Sequence, residues 1–436
     1  MGFMKNEIKA YSLEGLAGLM EELGQPRFRA EQVVQWLYRQ GAADYGEMTN
    51  LPLSLRETLE GEHPLRSARV VDRQESRDGT RKYLVELADG SRVETVAIPA
   101  LSSARPASAQ SASVEHPSSQ EFSLGRSPSQ PSSAKRLTVC FSTQIGCAMA
   151  CAFCATGTEG FTRNLLPGEI VDQVLMAQKD FGVRASNLVA MGQGEPFLNY
   201  ENTLAALRIL NSPKGLAVGA RRITISTCGI ISGIERLSGE PEQFTLAVSL
   251  HSAEQRVRDR LMPKLAGEPL PLLKETLLGY VRRTNRRVSL EYILVDGIND
   301  TPAALDALVQ FCSGLLCHVN LLPMNAVPQG SAVSGGSTAS DRSASSGGSA
   351  SSDRGAVSGG GMSSDRFDNM ASSRTISADV VPGFRPSDSS VFQAWSARLE
   401  EERVPVTVRQ SRGSDIAGAC GQLKNTLSEQ HPSPAK

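Results

Sequence analysis

Apolar residues recur along this chain in two rhythms that divide it. Over residues 12–62 they fall at helical spacing. Leu13, Leu16, Met20 and Leu23 precede Gly24, and Val33, Val34, Leu37 and Tyr38 share one face of the segment that starts at Phe28. Met48, Leu51, Leu53 and Leu55 close a third side. The pattern predicts a small helical domain over 1–67. From 68 to 100 the rhythm changes to alternation. Lys82-Tyr-Leu-Val-Glu-Leu, a turn at Asp89-Gly90 and Arg92-Val-Glu-Thr-Val-Ala-Ile predict a β-hairpin linking this domain to the rest of the chain. On its second strand Glu94, Val96 and Ile98 share a face. That leaves Glu94 two environments: an exposed edge, where an unpaired carboxylate usually sits, or a buried pocket.

Two stretches break both rhythms. Residues 101–135 collapse to Ser, Ala, Pro and Gln, and residues 329–380 largely to Ser and Gly. The second contains a repeat that starts at Ser334, Ser346 and Ser358 and closes each time on Asp-Arg, with no apolar face in the unit. Neither stretch can bury enough apolar area to offset chain entropy, so both are expected to be disordered insertions.

Around them, near-continuous apolar runs at 137–142, 187–191, 222–227, 244–250, 288–295 and 318–322 predict strands. Amphipathic stretches at 168–181, 201–211, 230–237, 270–284, 302–314 and 388–402 predict helices. Buried strands alternating with helices mean a parallel sheet with helices outside it. Six such units are too few to close an eightfold barrel. The expected class is α/β, a partial (β/α)6 barrel over 136–328 completed by 381–427. One further strand is expected in Val404-Pro-Val-Thr-Val-Arg, and a tail at 428–436.

Composition narrows the class. At 436 residues the chain can hold one large domain and an appendage, and its formal net charge of −1 argues against whole-protein attraction to nucleic acid. Local basic patches remain. Arg27 and Arg29 around Phe28, Arg221-Arg222, and Arg282-Arg283 with Arg286-Arg287 read as phosphate contacts or as solvated faces. No run of about 18 apolar residues occurs, so no membrane span is expected. The N-terminus lacks the order of a signal peptide. Eight Cys, three of them clustered, fit a reducing compartment, and a cytoplasmic location is expected.

The cluster is Cys147-Ala-Met-Ala-Cys151-Ala-Phe-Cys154. Structural zinc and an electron-carrying iron–sulfur cube each take four ligands, yet only three thiols stand here, with no fourth Cys or His nearby. A cube held at three corners leaves one iron open, and an open iron means chemistry. In open α/β sheets ligands gather at the carboxyl ends of the strands. The thiol run comes just after the first strand. Met191-Gly-Gln-Gly194-Glu195-Pro196 ends the second, Ser226-Thr-Cys-Gly229 the third, Ser249-Leu-His251 the fourth and Pro323-Met-Asn325 the sixth. Each alone could be a turn; five in register argue for one shared pocket. His251 by itself reads as a core histidine or as a ligand, and Cys228, Cys312 and Cys317 as packed thiols.

With CxxxCxxC at one strand end and GxGEP at the next, the chain resembles the radical S-adenosylmethionine (SAM) superfamily. More narrowly, it is similar to the RNA adenine C2-methyltransferases that modify 23S rRNA and tRNA. The matching segments are Phe28-Arg-Ala-Glu-Gln-Val, Val93-Glu-Thr-Val, Cys140 with Gln144-Ile-Gly-Cys147, Gly160-Phe-Thr-Arg-Asn-Leu, Met191-Gly-Gln-Gly-Glu-Pro, Ser249-Leu-His and Ala419-Cys420-Gly-Gln-Leu. They run from end to end, the two insertions excepted.

The resemblance implies one [4Fe-4S] cluster on Cys147, Cys151 and Cys154. SAM would chelate its open iron and be held by Gly194, Glu195, Ser226, Ser249, Leu250, His251 and Asn325. It implies a ping-pong transfer that uses two SAM. Cys420 takes a methyl group from the first, and a 5′-deoxyadenosyl radical from the second removes a hydrogen from that methyl. The carbon radical adds to adenine C2, Glu94 serves as the base for the C2 proton, and Cys140 attacks Cys420 to release the product as a disulfide forms. The small residues before Cys420 suit a mobile loop. The implied partners are 23S rRNA in its peptidyl transferase region, certain tRNAs, and an electron donor such as flavodoxin, acting with a monomer.

Rival readings differ in what they need. An electron-transfer iron–sulfur protein needs a fourth local Cys and no Cys420. A glycyl-radical activator shares the cluster but not the pair Cys140 and Cys420, and a non-catalytic RNA-binding module needs no open cluster. The related adenine C8-methyltransferases use the same thiol pair, so C8 stands as the alternative to C2.

Overall fold

The computed structural model of the chain describes residues 7–66, 68–100, 136–325 and 384–425. The disorder expected at 101–135 and 329–380, and the tail at 428–436, lie outside these residues.

The N-terminal helical rhythm becomes α1 (Leu13–Glu22), α2 (Phe28–Gln35) and α3 (Leu53–Glu62). Ser12 caps α1 by accepting the Gly15 N–H at 3.0 Å. Leu16, Met20, Val33, Val34, Leu37, Met48 and Leu55 are buried between the helices as their spacing predicts. Leu53 is not. As the first residue of α3 it points outward and is 61% exposed.

The alternating segment becomes β1 (Arg69–Glu75), β2 (Arg81–Glu86) and β3 (Arg92–Pro99). β3 pairs antiparallel with β4 (Leu137–Cys140), Val96 lying opposite Cys140. The expected hairpin therefore gains a third strand, and it is no mere linker, because the barrel sheet continues through it. After β4 the chain forms a separate two-stranded ribbon, β5 (Gln144–Gly146) and β6 (Phe161–Asn164), with the short helix α4 (Ala155–Thr158) between them.

The main sheet then resumes with β7 (Ala185–Ala190), β8 (Ile223–Thr227), β9 (Thr245–Ser249), β10 (Val288–Leu294), β11 (Cys317–Pro323) and the added strand β12 (Val406–Val408). All are parallel to β4, in the ten-strand order β1-β2-β3-β4-β7-β8-β9-β10-β11-β12. The connecting helices are α5 (Pro167–Phe181), α6 (Tyr200–Asn211), α7 (Ile231–Ser238), α8 (Gln255–Leu261), α9 (Leu270–Thr284), α10 (Pro302–Cys312) and α11 (Ser389–Glu401). This is the expected open (β/α) barrel. Leu188, Ile223, Leu246, Val248, Leu290, Leu294, Val319 and Leu321 are all buried, as strands covered on both faces require. Pro167 opens α5, and the Glu169 carboxylate accepts the Leu166 N–H at 2.8 Å, satisfying one of the helix's free amides. Among the described residues no helix is long and apolar enough to cross a membrane.

Candidate active site

The thiol run hangs from the β5–β6 ribbon. Gly146 takes φ +71°, and a Cβ there would lie 1.8 Å from the Gly160 carbonyl oxygen, so only glycine fits. The middle of the loop is fixed by the Ala152 N–H, which donates to the carbonyl of Leu261 at the end of α8 at 2.9 Å.

Cys147, Cys151 and Cys154 line one cavity that opens to solvent. Gly194, Glu195, Ser226, Ser249, His251 and Asn325 reach it from the strand ends, as the register predicts. Leu250 does not. Its side chain is fully buried, and its N–H is spent on the Glu291 carbonyl at 3.0 Å. Gly194 sits at φ +103°, with the Gln144 side chain 2.6 Å from where a Cβ would be. The Glu195 carboxylate accepts the N–H of Phe197 at 3.0 Å and of Cys228 at 2.7 Å, tying the ends of β7 and β8 together, and burial raises its pKa.

His251 adopts a left-handed backbone at φ +56°, uncommon for a residue with a side chain. Its Nδ1 accepts the Ile293 N–H at 3.1 Å. Burial, with the charge of Arg258, pulls its pKa down to about 3. The ring is therefore neutral and carries its proton on Nε2, which makes that nitrogen a donor.

Past Cys420 a second cavity opens, lined by Cys140, Val96, Ile98 and Arg412 among others. Met191, Asn325, Arg409 and Cys420 line both cavities, so Cys420 stands at their junction. Cys140 packs with Val96 and with Leu423 of the Cys420 loop. Burial, then the neighbouring Cys420, raise its pKa. Both are free thiols. Cys420 is exposed to the cavities yet ringed by protein. That raises its pKa, Glu291 adding to the effect and Arg409 opposing it.

The loop that carries Cys420 is not loose in this structure. Gly421 accepts the Ala155 N–H at 2.7 Å, Leu423 accepts the Thr156 hydroxyl at 2.8 Å, and Asn325 donates to the Cys420 carbonyl at 3.2 Å. Upstream, Asp415 accepts the Ser76 hydroxyl at 2.6 Å from the turn between β1 and β2.

Glu94 lines neither cavity. It is 1% exposed, because β3 lies between β2 and β4 and has no free edge. Its carboxylate is 3.0 Å from the Lys82 ammonium and accepts the Lys424 N–H at 2.7 Å, so it braces the loop beyond Cys420. Burial pushes its pKa up to about 7 against the opposing charge of Lys82.

The rim holds residues that the pattern alone did not single out. Cys228, read from the sequence as a packed thiol, lines the first cavity, whereas Cys312 and Cys317 are buried thiols as expected. Arg409 and Glu291 also line it. Arg409 ends the β12 segment, so the strand-end rule could have found it.

The N-terminal residues 7–63 match the family model of the ribosomal RNA large subunit methyltransferase N-terminal domain, and residues 141–303 match that of the Radical SAM superfamily. The chain is 35% identical over 430 residues to a Symbiobacterium thermophilum protein named “Probable dual-specificity RNA methyltransferase RlmN”, covering 98% of this chain and 93% of that one. A Synechococcus elongatus protein of the same name is 38% identical over 419 residues, 95% and 92% of the two chains. The crystal structure of a radical SAM methyltransferase from Sphaerobacter thermophilus superposes with a TM-score of 0.71 at 35% identity, over 96% of this chain and 99% of that one. The chain belongs to the RlmN family.

Membership of a radical SAM family implies a [4Fe-4S] cluster and SAM, and the RlmN fold seen here fits them. The donor set is three thiols on one cavity wall, with Cys151 close enough to raise the pKa of both Cys147 and Cys154. Burial is the larger cause, pushing Cys154 up to about 11; a bound metal would hold all three as thiolates. Among the described residues no three His, Cys, Asp or Glu converge on a point that would hold a single metal ion. A cube does not ask for that, since each corner thiolate binds a different iron.

Proposed function

We propose that this radical SAM RNA methyltransferase acts on C2 of an adenine in the peptidyl transferase region of 23S rRNA, and in certain tRNAs, through S-methylated Cys420. The observation that carries the proposal is the placement of two free thiols. Cys140 lines the outer chamber, and Cys420 stands where that chamber meets the cavity of the three cluster thiols. A simple SAM-dependent transferase needs neither thiol.

When bound at Cys147, Cys151 and Cys154, the cluster with SAM would supply an electrophilic methyl group and, in a second round, abstraction of one hydrogen atom. Gly194, Glu195, Ser226, Ser249, His251 and Asn325 would hold SAM, the Leu250 backbone bracing the rim from behind. The fixed donor at His251 Nε2 and the close approach at Gly194 supply orientation and exclude water. Cys420 loses its proton and takes the methyl group by displacement. The activated carbon on Cys420 then forms its bond to adenine C2. Glu94, with a pKa near neutrality, is matched to accept the C2 proton. It lies buried beside the Cys420 loop, so the loop must shift for the proton to reach it. The adduct also gives up one electron, back to the redox group held by Cys147, Cys151 and Cys154. Cys140 then loses its proton and attacks the Cys420 sulfur. The bond from that sulfur to the transferred carbon breaks with its electron pair going to the carbon, the carbon takes a proton to become the methyl group, and a Cys140–Cys420 disulfide forms. Two electrons, from a donor such as flavodoxin, reset the pair. Arg409, which lines both chambers, is suited to an RNA phosphate, whereas Arg412 is held by Asp78 at 3.0 Å.

The test is a pair of variants assayed with SAM, reductant and an rRNA fragment. Cys420→Ala should still cleave SAM reductively but transfer no methyl group; methylated RNA from it would sink the proposal. Cys140→Ala should accumulate a covalent protein–RNA adduct, and its absence would count against the resolving role. Mass spectrometry of the product nucleoside should place the new carbon at C2; C8 would assign the related activity instead.

A further inference from the structure

Among the described residues the largest fully buried side chain is a charged one. Arg258 lies on α8 and is 2% exposed. It donates from Nη2 to the Cys228 carbonyl at 2.6 Å, and its Nε has no partner. No carboxylate forms an ion pair with it among the described residues. Burying a guanidinium without a hydrogen-bonded counter-charge is costly, and arginine does not escape the cost by shedding its proton. No hydrogen-bonded anion among the described residues offsets this charge.

Its surroundings say what would. One turn past Arg258, the carbonyl of Leu261 holds the Ala152 N–H inside the thiol loop. Arg258 contacts Cys228, which lines the cluster cavity, and its charge reaches His251 on the same wall. Burial lowers its pKa, and the groups that oppose this most are the thiols of Cys228 and Cys151, ahead of the carboxylates of Asp259 and Glu268. The positive charge is thus stored directly behind the wall where three thiolates would gather.

We propose that Arg258 is the built-in counter-ion of the cluster, a positioning residue that eases one-electron reduction of the group held by Cys147, Cys151 and Cys154. The inference rests on the reading that those thiols hold a cluster. Three thiolates outweigh the positive charge of the cube, and reduction adds one more negative charge. A fixed cation nearby favours the more negative state, and so raises the reduction potential. It also favours the thiolates over the thiols during loading. In a purely structural role, Arg258 would only pin the Cys228 carbonyl.

Two variants separate these roles. Arg258→Met keeps the length of the side chain and removes its charge; Arg258→Lys keeps the charge. The readouts are iron and sulfide content after anaerobic reconstitution, the midpoint potential from an EPR-monitored titration, and the melting temperature of cluster-free protein. The potential of the Met variant should move negative while that of the Lys variant stays near the parent. Cluster-free Met variant should melt at or above the parent, because a buried unpaired charge has been removed. A folded Met variant that loads less iron than the Lys variant supports the proposal as well. An unmoved potential in the loaded Met variant overturns it. So does a Met variant that fails to fold, or that melts lower without cluster, for Arg258 is then a structural tie. A parent protein that takes up no iron and sulfide would instead overturn the cluster reading itself.

Discussion

At the scale of single residues, the site depends on groups held in costly states. Glu94 is the clearest. Its pKa of about 7, against 4.5 for a free carboxyl, means the folded protein binds a proton that the unfolded chain has already released between those values. The stability this confers is complete below pH 4.5 and lost as pH rises through 7, amounting to about 3 kcal/mol at 1.36 kcal/mol per pKa unit. Proton abstraction runs the other way, since only the carboxylate can act as base. Glu94→Gln should therefore remove its share of the loss of stability between about pH 4.5 and 7 in denaturant melts. It should also cut turnover by about 10²-fold or more and erase the ionisation near 7 from the rate profile. An unchanged rate profile would remove Glu94 from the chemistry. Gly194→Ala makes a sharper demand. Its Cβ would meet Gln144 at 2.6 Å in a backbone region that alanine avoids. SAM affinity should fall by at least about tenfold, roughly 1.4 kcal/mol, in equilibrium binding, with the helical circular dichroism unchanged.

Between elements, the most consequential contact joins the two thiol-bearing loops. α4, which ends the cluster loop, offers the Ala155 N–H and the Thr156 hydroxyl to Gly421 and Leu423, and Glu94 adds the Lys424 N–H. The run of small residues before Cys420 predicts mobility, and in this structure the partners that hold it come from distant segments. Local composition could not reveal them. Thr156→Val removes one tie while keeping the shape, but leaves the buried Leu423 carbonyl unpaired, at a cost of about 1–3 kcal/mol to the docked loop. Hydrogen exchange at 413–425 should quicken by about tenfold or more while the barrel strands keep their protection; equal exchange would mean the loop is held elsewhere. The same contrast explains what was legible in the sequence. The parallel strands and α5, α6, α7, α9, α10 and α11 could be read within a residue or three, because long apolar and amphipathic runs carry their own period; α8, only seven residues long, was missed. The β5–β6 ribbon was missed because strands of three and four residues show none. Five strand ends in one register located the cavity, whereas Arg258 gave no signal, since its meaning lies in having no carboxylate ion pair among the described residues. Glu94 could have been placed from the hairpin register alone. Leu84 pairs with Glu94 and Lys82 with Val96, so Lys82 and Glu94 share a face as diagonal neighbours.

Across the whole molecule, the N-terminal helices join the barrel through a buried charge pair. Lys9 and Asp172 meet at 2.7 Å with side chains 5% and 7% exposed, and Asp172 also accepts the Ala68 N–H at 3.1 Å where the chain enters β1. The pair is surrounded by further charge. Glu7 is pushed up to about 7 by burial first, then by Glu169, with Asp172 adding and Lys9 opposing. Such a pair says little about net stability, because its attraction is set against the desolvation of both ions; breaking one side is another matter. Asp172→Ala takes from the buried Lys9 ammonium the carboxylate it meets at 2.7 Å and should cost about 3–5 kcal/mol. The double substitution Lys9→Met with Asp172→Leu removes both charges and should recover most of that loss. Chemical denaturation of the three proteins at pH 7.5 measures this directly. A double variant no more stable than Asp172→Ala would show that the polar contacts of the pair, and not its stranded charge, hold the helices in place. Limited proteolysis adds the spatial test. Cleavage around residues 64–68 should appear in Asp172→Ala and not in the double variant, because the first frees the junction between helices and sheet and the second repacks it.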